Sequence, residues 1–267
     1  MNSPTDHNEL QAGYKYRDIQ LCISPELQEH RLQSCLIDPS IYHGFVDLTH
    51  FCNEAILAAT KSGLSINGNV HTTDRIMCTQ RVSLNQPLVM SGEVTRTEPV
   101  ARGTLITSVF TFTLPDGTTA LKTERTSTRL HRDGSVDNSI KRQRQVEPDL
   151  STYETVAQCS FAPDRVADYS SEGGNAIHYD PGVAAQFGYR APIAGGLMGV
   201  RSLMATLCLN DGPPNTIDIS IRFRRPMFWD ETLDVMQRRK ADGAVSHLAL
   251  INASGKAAVE AKVEDLA

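Results

Sequence analysis

The chain has 267 residues, 40% hydrophobic and 21% charged, which is enough apolar material for a core and too much for a disordered chain. Its 26 Lys+Arg and 31 Asp+Glu leave a net charge of −5, which argues against nucleic-acid and membrane-surface roles because those need a basic bias. No apolar run reaches the roughly 20 residues of a membrane span, since the best, 197–209, contains Arg201 and Ser202. Met1-Asn2-Ser3-Pro4-Thr5-Asp6 has neither a basic n-region nor an apolar h-region. The cysteines (Cys22, Cys35, Cys52, Cys78, Cys159, Cys208) are scattered, with no Cys-x-x-Cys and no neighbouring His cluster. The expectation is a cytoplasmic protein with free thiols, no bound metal, and no nucleic-acid or membrane partner.

In chain order, an amphipathic helix is predicted near 51–61, followed by strands at 75–84, 87–98, 103–114 and 118–130. Pro115-Asp116-Gly117 marks a hairpin between the last two. Residues 133–150 are polar and close with Pro148, so they read as a linker, and their Lys141-Arg142-Gln143-Arg144 run reads as solvated. Asp180-Pro181 reads as the cap and first position of a short helix ending near Phe187-Gly188. A longer helix follows at 196–209, with Leu197, Val200, Leu203, Met204, Leu207 and Cys208 on one stripe. Strands are then expected at 215–224, 231–240, 245–252 and 256–263, with the last turn at Ala253-Ser254-Gly255.

The same order of elements thus occurs twice. Pro87 stands 30 residues before Gly117, and Pro226 stands 29 before Gly255. The predicted organisation is a first repeat at 1–132, a linker at 133–150, and a second repeat at 151–267 that carries the site. One helix and an antiparallel meander per half give an α+β class.

The chemistry concentrates between residues 169 and 198. His178 sits in a Gly- and Ser-rich loop just ahead of the short helix. Ala194-Gly195-Gly196 opens the long helix, whose free N–H groups can polarise a carbonyl. Asn175-Ala176-Ile177-His178-Tyr179-Asp180, followed by Pro192-Ile193-Ala194-Gly195-Gly196-Leu197-Met198, resembles the MaoC-like hydratase/dehydratase family. Arg222-Phe223-Arg224-Arg225-Pro226 and Asp230-Glu231-Thr232-Leu233 are similar to that family's strand pattern, and the resemblance covers most of the chain.

The resemblance implies a double hot-dog, two repeats each wrapping an antiparallel sheet around a long helix, with an acyl-thioester tunnel between the halves. It implies reversible hydration of a 2-enoyl thioester to a 3-hydroxyacyl thioester, carried on coenzyme A or on the phosphopantetheine of an acyl carrier protein. The carrier would belong to the substrate, so no separate cofactor is expected. A homodimer stays open. His178 falls on the family's catalytic His, Asn175 on its Asn, and Gly196 on the glycine whose N–H would bind the thioester oxygen. Ile193 and Gly195 are the expected substrate-binding neighbours.

The family's Asp does not carry over, because Gly173 occupies its position and Glu172 stands one place earlier. Gly195 also replaces the helix-start His, and Ala176 replaces a Pro. Some MaoC-like branches keep Ile-His-Tyr-Asp without the upstream Asp, so its loss does not imply a dead enzyme. Glu172 is the nearest replacement. Glu54, on the first helix, could reach His178 from the other half or simply face solvent, and His43 and His50 lie near it in sequence. Arg222, Arg224 and Arg225 could meet coenzyme A phosphates, though alternation forbids all three. Two other readings compete: a hot-dog thioesterase using Glu54 or Glu172, and a non-catalytic acyl-thioester binder.

Overall fold

The computed structural model describes residues 10–62, 69–131, 134–141, 146–171, 174–209 and 212–267. The first half runs β1 (Ile19–Cys22), α1 (Pro25–Gln33), α2 (Thr49–Lys61), β2 (Asn69–Cys78), β3 (Pro87–Val100), β4 (Gly103–Thr113) and β5 (Thr119–Leu130). The second repeats the order as β6 (Glu154–Ser160), α3 (Pro163–Ser170), α4 (Pro181–Gln186), α5 (Gly196–Cys208), β7 (Ile217–Phe223), β8 (Thr232–Arg239), β9 (Val245–Ile251) and β10 (Ala257–Leu266). Among the α-helices and strands of the described residues, only α4 has no counterpart.

All ten strands form one sheet in the order β1-β3-β4-β5-β2-β7-β10-β9-β8-β6. Read outward from the β2–β7 junction, the two halves have the same strand order. β2 and β7 pair antiparallel from Thr73↔Arg222 to Cys78↔Ile217. Arg75 spans this seam with a bidentate ion pair to Asp218, at 2.8 and 2.6 Å. The architecture is the α+β double hot-dog.

The core lies between the sheet and two helices packed side by side, α2 and α5. Alternation along β4 turns Ile106, Phe110 and Phe112 inward, and Phe112 meets Phe51 of α2 with ring centroids 4.9 Å apart. Full burial of such a ring is worth about 1.5–3 kcal/mol. On α2, Ala55, Ala58 and Ala59 are buried and small, which allows close helix approach. Leu197, Val200, Leu203 and Met204 of α5 form the predicted stripe, and α5 rests on β9 and β10. The Asp116 turn closes as expected, with Gly117 at φ 88° and Asp116 Oδ1 accepting from the Thr118 N–H at 2.8 Å.

One strand needs correction. The expected 75–84 segment is β2 at Asn69–Cys78. A bulge between His71 and Thr73 breaks the alternation that would have revealed its start. Residues beyond Cys78 leave the ladder except for an isolated Phe45↔Ser83 bridge. The helix expected from 51 begins at Thr49, and β10 runs on to Leu266. β1, α1, β6 and α3 were not anticipated. All six cysteines are free, and no helix among the described residues is long and apolar enough to cross a membrane.

Candidate active site

A cavity of about 320 Å³ opens where the two halves meet. The first half lines it from α2, β2 and β5; the second lines it from the end of α3, the 175–178 turn and the start of α5. His178, Asn175, Ile193, Gly195 and Gly196 all border it.

The His178 loop is held by its own backbone. Asn175 caps the single turn 176–178, its Oδ1 accepting from the Ile177 N–H at 3.4 Å. Asp180 caps α4, accepting from the N–H groups of Gly182 and Val183 at 2.8 and 3.1 Å, with Pro181 at the first helical position. His178 Nδ1 lies 2.7 Å from the carbonyl oxygen of Ile193. A carbonyl only accepts, so Nδ1 carries the proton and donates it, and neutral His178 keeps a bare Nε2. Ile193 is itself fixed, its N–H donating to Ile177 O at 3.2 Å. Burial pulls the His178 pKa below the usual value, and the bond to Ile193 opposes that shift. Near neutral pH the imidazole is therefore an uncharged base.

The start of α5 supplies hydrogen-bond donors. Ala194 N–H donates to Met227 O at 2.7 Å, and Met198 N–H to Gly195 O at 2.9 Å. Between them, the N–H groups of Gly195, Gly196 and Leu197 find no acceptor among the described residues. They border the cavity at the positive end of the helix dipole, which suits a developing oxyanion. Gly196 is glycine for a packing reason: an added Cβ would lie 2.8 Å from the Phe223 ring. At Gly195 the nearest ring atom, on Tyr169, would be an ordinary 3.5 Å away.

The expected carboxylates fare differently. Glu172 and Gly173 lie outside the described residues. Glu54 neither faces solvent nor borders the cavity. It is buried and ion-paired with Lys61 at 2.8 Å and Arg31 at 3.6 Å. Asn53, Ile56 and Leu57 are the α2 residues that line the cavity instead. No described Asp or Glu lines it. His50 is fully buried, accepts from Arg31 at 3.0 Å, and has its pKa held well below normal by burial, then by Arg201 and Arg31. His43 is exposed at the end of a short turn. Arg224 and Arg225 border the cavity, paired with Glu260 and Glu147 respectively, whereas Arg222 does not.

Sequence reasoning missed the support beneath this cavity. Arg201, fully buried on α5, pairs with the equally buried Asp47 and donates to Asn53 Oδ1 at 2.8 Å and the Tyr169 hydroxyl at 3.2 Å. Tyr169 in turn donates to Asn53 Oδ1 at 3.1 Å, and both side chains border the cavity. The available signal was the charged Arg201 in the middle of an apolar helix.

Solved structures share this fold. HtdX from Mycobacterium tuberculosis superposes with a TM-score of 0.75 at 20% identity, covering 92% of this chain and 98% of its own. A MaoC-like dehydratase reaches 0.75 at 16% identity, over 96% of this chain and 98% of its own. An acyl-ACP thioesterase from Bacteroides thetaiotaomicron reaches 0.59 at 12% identity, over 92% and 96%. No protein-family model and no curated protein matches the chain. At these identities the likeness establishes the double hot-dog fold.

Proposed function

We propose that this chain is an acyl-thioester hydro-lyase, adding water to a 2-enoyl thioester and removing it from the 3-hydroxyacyl product. The observation that carries the reading is the His178–Ile193 bond, which leaves Nε2 bare in the cavity that also receives the free N–H groups of α5. Nε2 takes a proton from water as its oxygen adds to C3. Charge then moves onto the thioester oxygen, where Gly196 and Leu197 donate. The protonated imidazole returns a proton to C2, so atoms and charge balance. Glu172, three residues before Asn175 in sequence, is our candidate for orienting the water. Coenzyme A or a carrier-bound phosphopantetheine enters as part of the substrate, and Arg224 and Arg225 stand at the cavity for its phosphates.

A thioesterase is the second reading, favoured by the free N–H groups at the start of α5, which suit the oxyanion formed when water attacks a thioester carbonyl as well as they suit an enolate. Incubation with crotonyl-CoA and 3-hydroxybutyryl-CoA, then with longer and carrier-bound chains, separates the readings. Change in enoyl absorbance without free thiol supports the hydro-lyase. Thiol release supports the thioesterase, and binding without either marks a non-catalytic acyl-thioester binder.

A further inference from the structure

Three α2 residues border the cavity, and of Asn53, Ile56 and Leu57 only Asn53 is polar. Its Oδ1 accepts from Arg201 Nη2 at 2.8 Å and from the Tyr169 hydroxyl at 3.1 Å. A guanidinium carries donors only, so the amide atom facing Arg201 is the oxygen, and the nitrogen must turn the other way. The Tyr169 hydroxyl accepts from Arg201 Nε at 3.2 Å and gives its own hydrogen to the same Asn53 oxygen. Arg201 is held in turn by Asp47, and both are fully buried. The oxygen side of the Asn53 amide is therefore fixed, while its Nδ2 has no acceptor among the described residues. Unlike the unpartnered His50 Nε2 nearby on α2, Nδ2 is not sealed inside the protein, and the open space that Asn53 borders is the cavity.

Contacts of one tyrosine place this amide near the start of α5. The Tyr169 ring lies against Gly195, where an added Cβ would meet it at 3.5 Å, and the hydroxyl of the same ring reaches Asn53. Along α2, Ile56 and Leu57 stand three and four positions beyond Asn53 on the same face, about 4.5–6 Å farther along the axis. With Val70 they give the cavity an apolar stretch. A thioester whose oxygen sits at Asn53 can run its acyl carbons onto that stretch. The charged part of the wall is balanced within the protein: buried Asp74 faces Arg125 across the β2–β5 pair and lies 3.0 Å from His71 Nε2.

We propose that Asn53 is a catalytic residue of this site, its Nδ2 donating to the thioester oxygen from the first half while the α5 N–H groups donate from the second. The proposal rests on the acyl-thioester reading of the cavity and serves hydration and hydrolysis alike, because both gather negative charge on that oxygen. Its probe is the ketone analogue of butyryl-CoA with a methylene in place of the thioester sulfur and carbon-13 at the carbonyl. The analogue has neither a double bond to hydrate nor a thioester to hydrolyse. A donor to its oxygen lowers the carbonyl stretching frequency, which infrared difference spectra of the complex read directly. Asn53→Asp is the informative variant. Its carboxylate still accepts from Arg201 and Tyr169, so the melting temperature should hold, but it presents an oxygen to the cavity in place of the N–H groups. On binding, the carbonyl band should move to lower frequency in the wild type and move less in Asn53→Asp. Turnover of whichever thioester the wild type accepts should fall about 10²–10³-fold in kcat, with KM little changed. No shift in the wild type, or an equal shift in both proteins, would overturn the proposal and leave the acyl-thioester reading standing. An analogue that fails to bind the wild type would overturn that reading and the proposal with it. If Asn53→Asp does not fold, the side-chain amide protons of Asn53 in the wild type decide by NMR: a downfield move with the analogue bound supports the proposal, and unmoved resonances overturn it.

Discussion

His178→Ala is the perturbation whose effects on turnover and on stability separate most cleanly. The substitution removes one neutral hydrogen bond, to Ile193 O, and part of a half-buried ring. Such a bond is worth about 0.5–1.5 kcal/mol net, and the cavity lets water replace it. The expected cost is about 1–2 kcal/mol, or about 2–8 °C in melting temperature for a chain of this length. Turnover should fall by about 10²–10⁴, the usual contribution of a positioned acid–base group. The pH dependence gives a second check. Burial depresses the folded-state pKa, so the unfolded chain binds the His178 proton more readily. Wild-type stability from this group is complete above the unfolded value of about 6.5 and is lost as pH falls below it. The Ala variant has no such loss, so the gap between the two melting temperatures should narrow from pH 7.5 to pH 5.5. Wild-type kcat/KM should fall on the acid side of pH 6.5, through the depressed folded-state pKa, as Nε2 becomes protonated. A variant that keeps its turnover per folded molecule, or a gap that widens in acid, would refute the assignment of a buried neutral base.

Arg201→Met should lower stability by about 3–5 kcal/mol, because it leaves Asp47 buried without its cation, and adding Asp47→Asn should recover part of the loss; chemical denaturation measures both. Gly196→Ala should destabilise by about 1–3 kcal/mol through overpacking, since the Phe223 ring it meets is also in contact with the His71 ring. That exceeds the helix-propensity gain of about 1 kcal/mol, and kcat should drop as the donors at the helix start shift. Glu54→Gln should cost about 1–3 kcal/mol by weakening its bonds to Lys61 and Arg31, with kcat per folded molecule unchanged. Glu172→Gln should reduce kcat nearly as much as His178→Ala, with the double variant little worse, if the two act as a unit; a silent Glu172→Gln would leave His178 working alone.

The duplication was legible because its signals are local. Helical spacing from Leu197 to Cys208, the Asp116-Gly117 turn and the two prolines each report on a few adjacent residues, and each has a counterpart in the other half. The short edge strands β1 and β6 escaped because four to seven residues with few buried side chains leave too little pattern to read. The His178 loop was legible for the same local reason: Asn175 and Asp180 cap turns within three residues of themselves.

The first half's share of the cavity was not legible, and the reason is geometric. Period-two alternation separates His71 from Asp74, so a bulge invisible in a polar Asn-Val-His-Thr-Thr-Asp run was needed to bring them together. Arg125 joins them only through sheet pairing across 51 residues of chain. Glu54 fails as a long-range partner for a matching reason. One helical position decides which face a residue takes, and α2 turns Asn53 to the cavity while Glu54 turns to Arg31 and Lys61. The candidate site residues of the C-terminal repeat therefore border the cavity from nearby stretches of chain, whereas those of the N-terminal repeat reach it through tertiary pairing.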